Sequence, residues 1–230
     1  MSPPADLKDP LLESIPPALS LTDGPSGIVA SFRAAIAGVL RTIAAQRNMK
    51  FHVLSAMMVL IIGMALPLAP STRVALLFAI AIVFFAEILN TALEAFVDLH
   101  VRDYHRLAMM AKDAAAAGVL VLAATTVAVL AEVLWSEWHV VTANMVAVHR
   151  SLLFGVPLVF CEALGLFAVR RGVLAVLRLL ASCALLLPLV RESVDPIYAT
   201  LSLTLVLVAA YARWSFPRMA GRGAPRTAST

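Results

Sequence analysis

Cysteine is nearly absent: only Cys161 and Cys183 occur, and each sits inside an apolar run. This excludes a disulfide framework, and no Cys/His spacing of the metal-binding kind is present. Both thiols read as small apolar residues, packed or facing lipid. Strong charge of one sign is also missing. The net charge is +4, and the basic residues are scattered among apolar segments. They read as membrane-flanking charge, so no nucleic-acid partner is expected. No basic stretch followed by an apolar run stands near residue 1, so a secretory signal is not expected. There is no fixed-period repeat, no Gly-x-x-x-x-Gly-Lys-Ser/Thr loop and none of the protein-kinase motifs.

What the chain has in abundance is apolar sequence. Of its 230 residues 61% are hydrophobic, and the mean hydropathy is +0.91. A polytopic membrane protein has this composition; a soluble domain does not. Six segments approach the ~20 residues that a spanning helix needs: 51–69, 73–99, 108–135, 152–169, 173–190 and 196–211. Segment 1–27 holds Pro3, Pro4, Pro10, Pro16, Pro17 and Pro25 and reads as a disordered cytoplasmic tail. Segment 28–46 reads as an amphipathic helix on the membrane surface, with Phe32, Ile36, Val39, Leu40 and Ile43 on one side. The polar stretch 136–150 reads as a connecting loop and the one domain boundary. It separates 28–135 from a C-terminal transmembrane region, 151–212, beyond which lies a basic tail, 213–230.

Charge fixes an expected topology. With the N-terminus in the cytoplasm, Arg33, Arg41, Arg47, Lys50, Arg102, Arg106, Lys112, Arg170, Arg171, Arg213, Arg218, Arg222 and Arg226 lie inside, while Arg73, Arg150 and Arg191 lie outside. That asymmetry predicts six spans with both termini cytoplasmic. Arg178 is expected to snorkel to the cytoplasmic interface. Arg33 and Arg41 are expected to meet lipid headgroups.

The informative stretch is the second span. From Glu87, the residues Asn90, Thr91, Glu94 and Asp98 come at i+3, i+4, i+7 and i+11, so all share one helical stripe. Ionisable residues inside a span are costly and mark function by default. Three carboxylates on one stripe repel unless a cation or protons balance them. The candidates for chemistry are these carboxylates and Lys112. Oxygen ligands suit Mg²⁺, which takes one or two carboxylates and keeps water and phosphate oxygens, and Glu94 is the first choice for it. Glu87 lies ~10 Å deeper along the helix. There it suits a general base facing a lipid hydroxyl. The bland alternatives are a polar network between helices, helix-end roles for Asp98 and Asp113, and a membrane-flanking Lys112.

Glu87-x-x-Asn90-Thr91-Ala92-x-Glu94-x-x-Val97-Asp98, then Tyr104-His105 and Ala111-Lys112-Asp113-x-Ala115-Ala116, resembles the prokaryotic diacylglycerol kinase and undecaprenol kinase family over roughly residues 31–135. Phe32-Arg33-Ala34-Ala35 and Arg47-Asn48-x-Lys50-x-His52 fit the same pattern. The resemblance implies an all-α integral membrane protein: an N-terminal amphipathic surface helix, a three-span kinase bundle, then about three further transmembrane helices here. It implies phosphorylation of a membrane lipid, diacylglycerol or undecaprenol, by ATP with Mg²⁺, in the bacterial inner membrane and as a homotrimer. It also implies that Glu87 is the base and that Asn90, Asp98, Lys112 and Asp113 surround nucleotide and metal. Lys112 would sit on phosphate and Asp98 on the other polar groups of the nucleotide. One position departs: where the family pattern carries a metal-binding carboxylate, this chain has Gln46. An amide ligates without adding charge. A non-catalytic lipid-binding scaffold or pseudokinase is therefore the alternative, with a small cation transporter behind it. All residues of the resemblance precede Ala147, so a chain ending there is expected to keep activity. Residues 151–212 read as a transmembrane region of unknown role; the option that the resemblance offers, since related kinases are sometimes fused to such a domain, is a degenerate lipid-phosphate phosphatase module of the type 2 phosphatidic acid phosphatase kind. It is expected to be inactive, since neither 156–160 nor 191–195 holds a His. Glu162 is expected to make a polar contact inside the bundle.

Overall fold

The computed structural model describes residues 27–101, 103–168 and 172–216. The proline-rich segment, residues 217–230 of the basic tail, and Arg102, Arg170 and Arg171 lie outside the described residues. Among the described residues every regular element is a helix: α1 (Ile28–Ala45), α2 (Arg47–Met64), α3 (Pro70–His100), α4 (Arg106–Ser136), α5 (Trp138–Ala143), α6 (Met145–Phe167), α7 (Val173–Arg191) and α8 (Pro196–Ser215). The six expected spans fall on α2, α3, α4, α6, α7 and α8. This is an all-α, multi-pass membrane architecture.

Two compact units are distinguished, one ending at Val39 and one starting at Leu40. The described residues of the first belong to the front of α1, where Ile28, Val29, Phe32 and Ile36 are exposed. In the second unit the longest antiparallel pair is α3 with α4, while α6, α7 and α8 pack on one another and α2 packs on α6, α8 and α3. Helix α2 is the centre of this unit: Met49, Val53, Ala56, Met57, Leu60, Ile61 and Met64 are all buried. Helix α4 is the opposite case, burying only Val119, with Leu120, Val121 and Val127 exposed as befits a lipid-facing surface.

Three differences from the sequence reading have physical causes. Helix α2 stops at Met64, before the expected 69. Pro67 cannot continue a helix and restricts the residue before it. The chain tightens there through Ala65 N to Ile62 O and Leu66 N to Gly63 O. By length and composition α1, α3, α4, α6, α7 and α8 reach the size of a span, and α2 does not, because its first turn is polar. Helix α1, read as a surface helix, is thus apolar enough to cross. The expected loop 136–150 is largely helical: its polar residues include no Gly or Pro to break a helix, and Asn144 alone separates α5 from α6. The starts of α3 and α8 obey simple signals. Pro stands in the first turn of each, and Asp195 caps α8 by accepting from Ile197 N at 2.8 Å.

Candidate functional site

The carboxylate stripe is graded by depth. Glu87 is 1% exposed and Asn90 7%, Glu94 is half-buried, and the Asp98 side chain is 66% exposed. Successive turns of α3 therefore carry polar groups from the helix interior out to water. Two short bonds tie the stripe to itself. Asn90 Nδ2 donates to Glu94 Oε1 at 3.0 Å, and Thr91 Oγ1 donates to the Glu87 carbonyl at 2.8 Å.

The start of α2 is set against this stripe. Gln46, its N-cap, donates from Nε2 to Glu94 Oε2 at 3.3 Å. The Met49 backbone N–H, in the first turn, faces the Glu87 carboxyl. A helix start leaves its first N–H groups without internal partners and carries a partial positive charge. Here it offsets two carboxylates close enough to repel one another. The sequence pattern names the carboxylates but not this donor, because a backbone N–H has no residue signature.

Asp98 and Lys112 meet across the α3–α4 turn, Lys112 Nζ lying 2.6 Å from Asp98 Oδ1. Asp113 is exposed on α4, and among the described residues no contact joins it to the stripe. Of the seven sequence-predicted site residues, then, Gln46, Glu87, Asn90 and Glu94 form one group, Asp98 and Lys112 a second, and Asp113 stands apart. No group of three His, Cys, Asp or Glu is gathered for a metal among the described residues. Two buried acceptors, Glu87 Oε2 and Asn90 Oδ1, have no hydrogen-bond partner among the described residues. They lie one turn apart beside Glu94, and together the three groups present the hard oxygen atoms that a Mg²⁺ ion or a hydroxyl donor accepts. The residues present therefore fit the implied ion.

Below this site an apolar cavity of about 320 Å³ runs along α2, α3 and α4, lined by Ser55, Met58, Ile62, Leu76, Leu130 and Val133. Its far end is marked by Glu137, which accepts from Thr72 Oγ1 at 2.7 Å.

Contacts that sequence reasoning missed lie between α2–α3 and the C-terminal helices. Arg73 pairs with Asp195, and Val194 N donates to Met64 O at 2.9 Å. Glu162 makes the expected interior contact, but its partner is Arg178, 2.7 Å away and with a side chain 9% exposed. Arg178 is thus buried in the bundle instead of reaching the interface. Arg41 lies 6.0 Å from the centre of the Phe216 ring.

The profile of the family described as prokaryotic diacylglycerol kinase matches residues 33–134. A diacylglycerol kinase of Synechocystis sp. is 41% identical over 103 residues, which cover 44% of this chain and 59% of that protein. An undecaprenol kinase of Bacillus subtilis is 41% identical over 93 residues, covering 40% of this chain and 76% of the relative. For a diacylglycerol kinase of Escherichia coli the figures are 40% over 67 residues, 29% and 55%. The chain thus spans a little over half of the first and third relatives and three quarters of the second. No solved structure matches at a significant level.

Proposed function

The chain belongs to the prokaryotic diacylglycerol kinase family, and from that premise we propose that it transfers the γ-phosphate of ATP to the hydroxyl of a membrane lipid, diacylglycerol or undecaprenol. The observation that carries the reading is the buried Glu87, with one free oxygen, held under the first turn of α2. In this reading the lipid oxygen attacks the γ-phosphorus, its proton passes to Glu87, and ADP leaves. Glu94, with the amide oxygens of Asn90 and Gln46, would hold Mg²⁺, which when bound supplies charge neutralisation at the phosphates. Lys112 would take a phosphate oxygen, exchanging Asp98 for it. Asp98 and Asp113 would serve the polar parts of the nucleotide. The apolar cavity suits the hydrocarbon chain of the acceptor, since it begins ~9 Å along α2 from Met49.

The same reading places the protein in the bacterial inner membrane with both termini cytoplasmic, on the positive-inside argument, and makes it a homotrimer by family resemblance. The deciding experiment is a phosphorylation assay of the purified chain with MgATP and each lipid in parallel. Labelled product from one lipid names the acceptor, and no product from either removes the catalytic reading. A second reading, a pseudokinase that binds nucleotide or lipid without turnover, is favoured by one observation: Gln46 brings an amide donor to Glu94 Oε2 where a carboxylate would bring charge.

A further inference from the structure

The apolar cavity below the carboxylates starts at a depth that its occupant has to match. On α3 its wall is the buried Leu76, ~16 Å along the helix from Glu87. Leu76, Ala79, Val83 and Glu87 are all buried, and Leu76 and Glu87 share a face because their separation makes about three turns. One buried face of α3 therefore leads from the carboxylate to the cavity. Thr126 Oγ1 donates to the Ala79 carbonyl at 3.4 Å, which sets α4 against α3 about 12 Å from Glu87. Leu130, where the α4 wall begins, lies another ~6 Å out, and Glu137 closes that wall ~28 Å from Glu87. The α2 wall runs from Ser55 past Gly63, and Gly63 is ~21 Å along the helix from Met49. On α3 and α4 the walls thus lie more than ~15 Å from Glu87.

We infer that this cavity holds the distal part of a single polyprenyl chain, so that the acceptor is a polyprenol and not diacylglycerol. The inference rests on the kinase reading, which puts the reacting hydroxyl at Glu87. The hydrocarbon core of a bilayer is about 30 Å thick and is filled by two opposed chains, so one acyl chain reaches about 15 Å. With its hydroxyl at Glu87, diacylglycerol ends where the α3 and α4 walls begin and leaves the cavity unfilled. A polyprenyl chain longer than one leaflet continues into it. Beyond its hydroxyl such a chain is hydrocarbon throughout, and Met58, Ile62, Leu130 and Val133 offer it an apolar lining. The flexible Met58 side chain adapts to methyl branches. Ser55 and Leu134 are exposed, so the chain can enter sideways from the bilayer. Glu137, already bonded to Thr72 Oγ1, ends the apolar track.

The test uses the purified full chain in phosphatidylcholine nanodiscs with MgATP. The ratio kcat/KM is read for undecaprenol, for farnesol, whose chain is too short to reach Leu76, and for dioleoylglycerol. Each is measured on the wild type and on Leu130→Trp/Val133→Trp. Helix α4 buries only Val119, so the added rings fill the cavity without entering the core. A second measurement needs no variant: undecaprenol carrying a photoreactive diazirine near mid-chain is irradiated on the wild type, and the labelled peptides are read by mass spectrometry. Undecaprenol is expected to exceed both other lipids by about tenfold or more in kcat/KM. The double variant is expected to lower the undecaprenol-to-farnesol ratio by about tenfold, and the label is expected between Leu130 and Glu137 or on the facing α2 wall. Dioleoylglycerol used as well as undecaprenol, no dependence on chain length, or an unchanged ratio in the folded variant overturns the inference and leaves the kinase reading intact. No product from any of the three lipids removes the kinase reading instead. The mid-chain label then decides alone: on the cavity wall it upholds a bound polyprenyl chain, and anywhere else it overturns it.

Discussion

One edge of the Tyr198 ring lies against the backbone of Gly63: a Cβ placed on Gly63 would be 2.4 Å from Cε2 and 2.6 Å from Cδ2 of that ring. Tyr198 is 1% exposed, so it has no free space to retreat into. Gly63→Ala should therefore cost about 1–3 kcal/mol through overpacking and lower the melting temperature in detergent. Gly118→Ala, where nothing lies within 4 Å of the new methyl, should be neutral or slightly stabilising, since Ala is the better helix former. Equal melting temperatures for Gly63→Ala and the wild type would show that α2 and α8 do not meet this way.

The Arg73–Asp195 pair gives a pH signature. Burial alone would push the Asp195 carboxyl up; the Arg73 guanidinium and the N–H groups of Ile197 and Tyr198 outweigh it and hold the carboxyl below its ordinary value. A carboxyl with a depressed folded value stabilises fully above its unfolded value, near 3.9. That contribution is lost as pH falls through the folded value. Asp195→Asn should lower the melting temperature at neutral pH and flatten its fall below about pH 4. Parallel melting-temperature curves for variant and wild type across the acid range would refute the pairing.

Truncation after Ala147 separates the sequence reading from the structure. The residues of the resemblance all precede that point, yet α2 is clasped by residues beyond it: Tyr198 on Gly63 and Ile61 against Gly155, Val194 N on Met64 O, and Asp195 on Arg73 at the start of α3. We expect the truncated chain to insert but to melt lower than the full chain. Its turnover should fall at least several-fold, because α2 carries Gln46 and Met49 to the carboxylates. Unchanged stability and turnover would return the C-terminal helices to the status of a separate module.

The carboxylate stripe was legible because helical period and the cost of charge in lipid both act on local sequence. Its depth order, Glu87 innermost and Asp98 outermost, came from the same period. The Met49 N–H on Glu87 was not legible, since every residue but proline offers that donor. Arg178 and Glu162 were each noticed, but their pairing depends on α6 lying beside α7, which no local pattern states. The helical nature of residues 138–143 was hidden for a simpler reason: polar residues were read as loop where nothing breaks a helix. The partners of α2 were the largest gap, because close packing of Gly63 and Gly155 leaves only a glycine as its trace.

The metal assignment turns on Gln46 and Glu94. Gln46 Nε2 now donates to Glu94 Oε2 at 3.3 Å, so Gln46→Glu would replace a hydrogen bond with two facing carboxylates. Without a divalent ion the variant should melt lower than the wild type, by like-charge repulsion. With Mg²⁺ the order should reverse, since a second carboxylate beside the ion is worth about 1–3 kcal/mol. That corresponds to roughly tenfold or more in Mg²⁺ affinity. The Mg²⁺ dependence of the melting temperature reads this without any turnover, and the Mg²⁺ dependence of the rate should track it. Glu94→Gln should abolish both responses. Glu87→Gln should cut turnover while leaving the Mg²⁺ midpoint unmoved, because its proposed role is to accept a proton. If Glu94→Gln keeps the wild-type Mg²⁺ response, the ion is held elsewhere and the stripe is a structural network. If Gln46→Glu leaves the Mg²⁺ midpoint unmoved, Gln46 is not beside the ion.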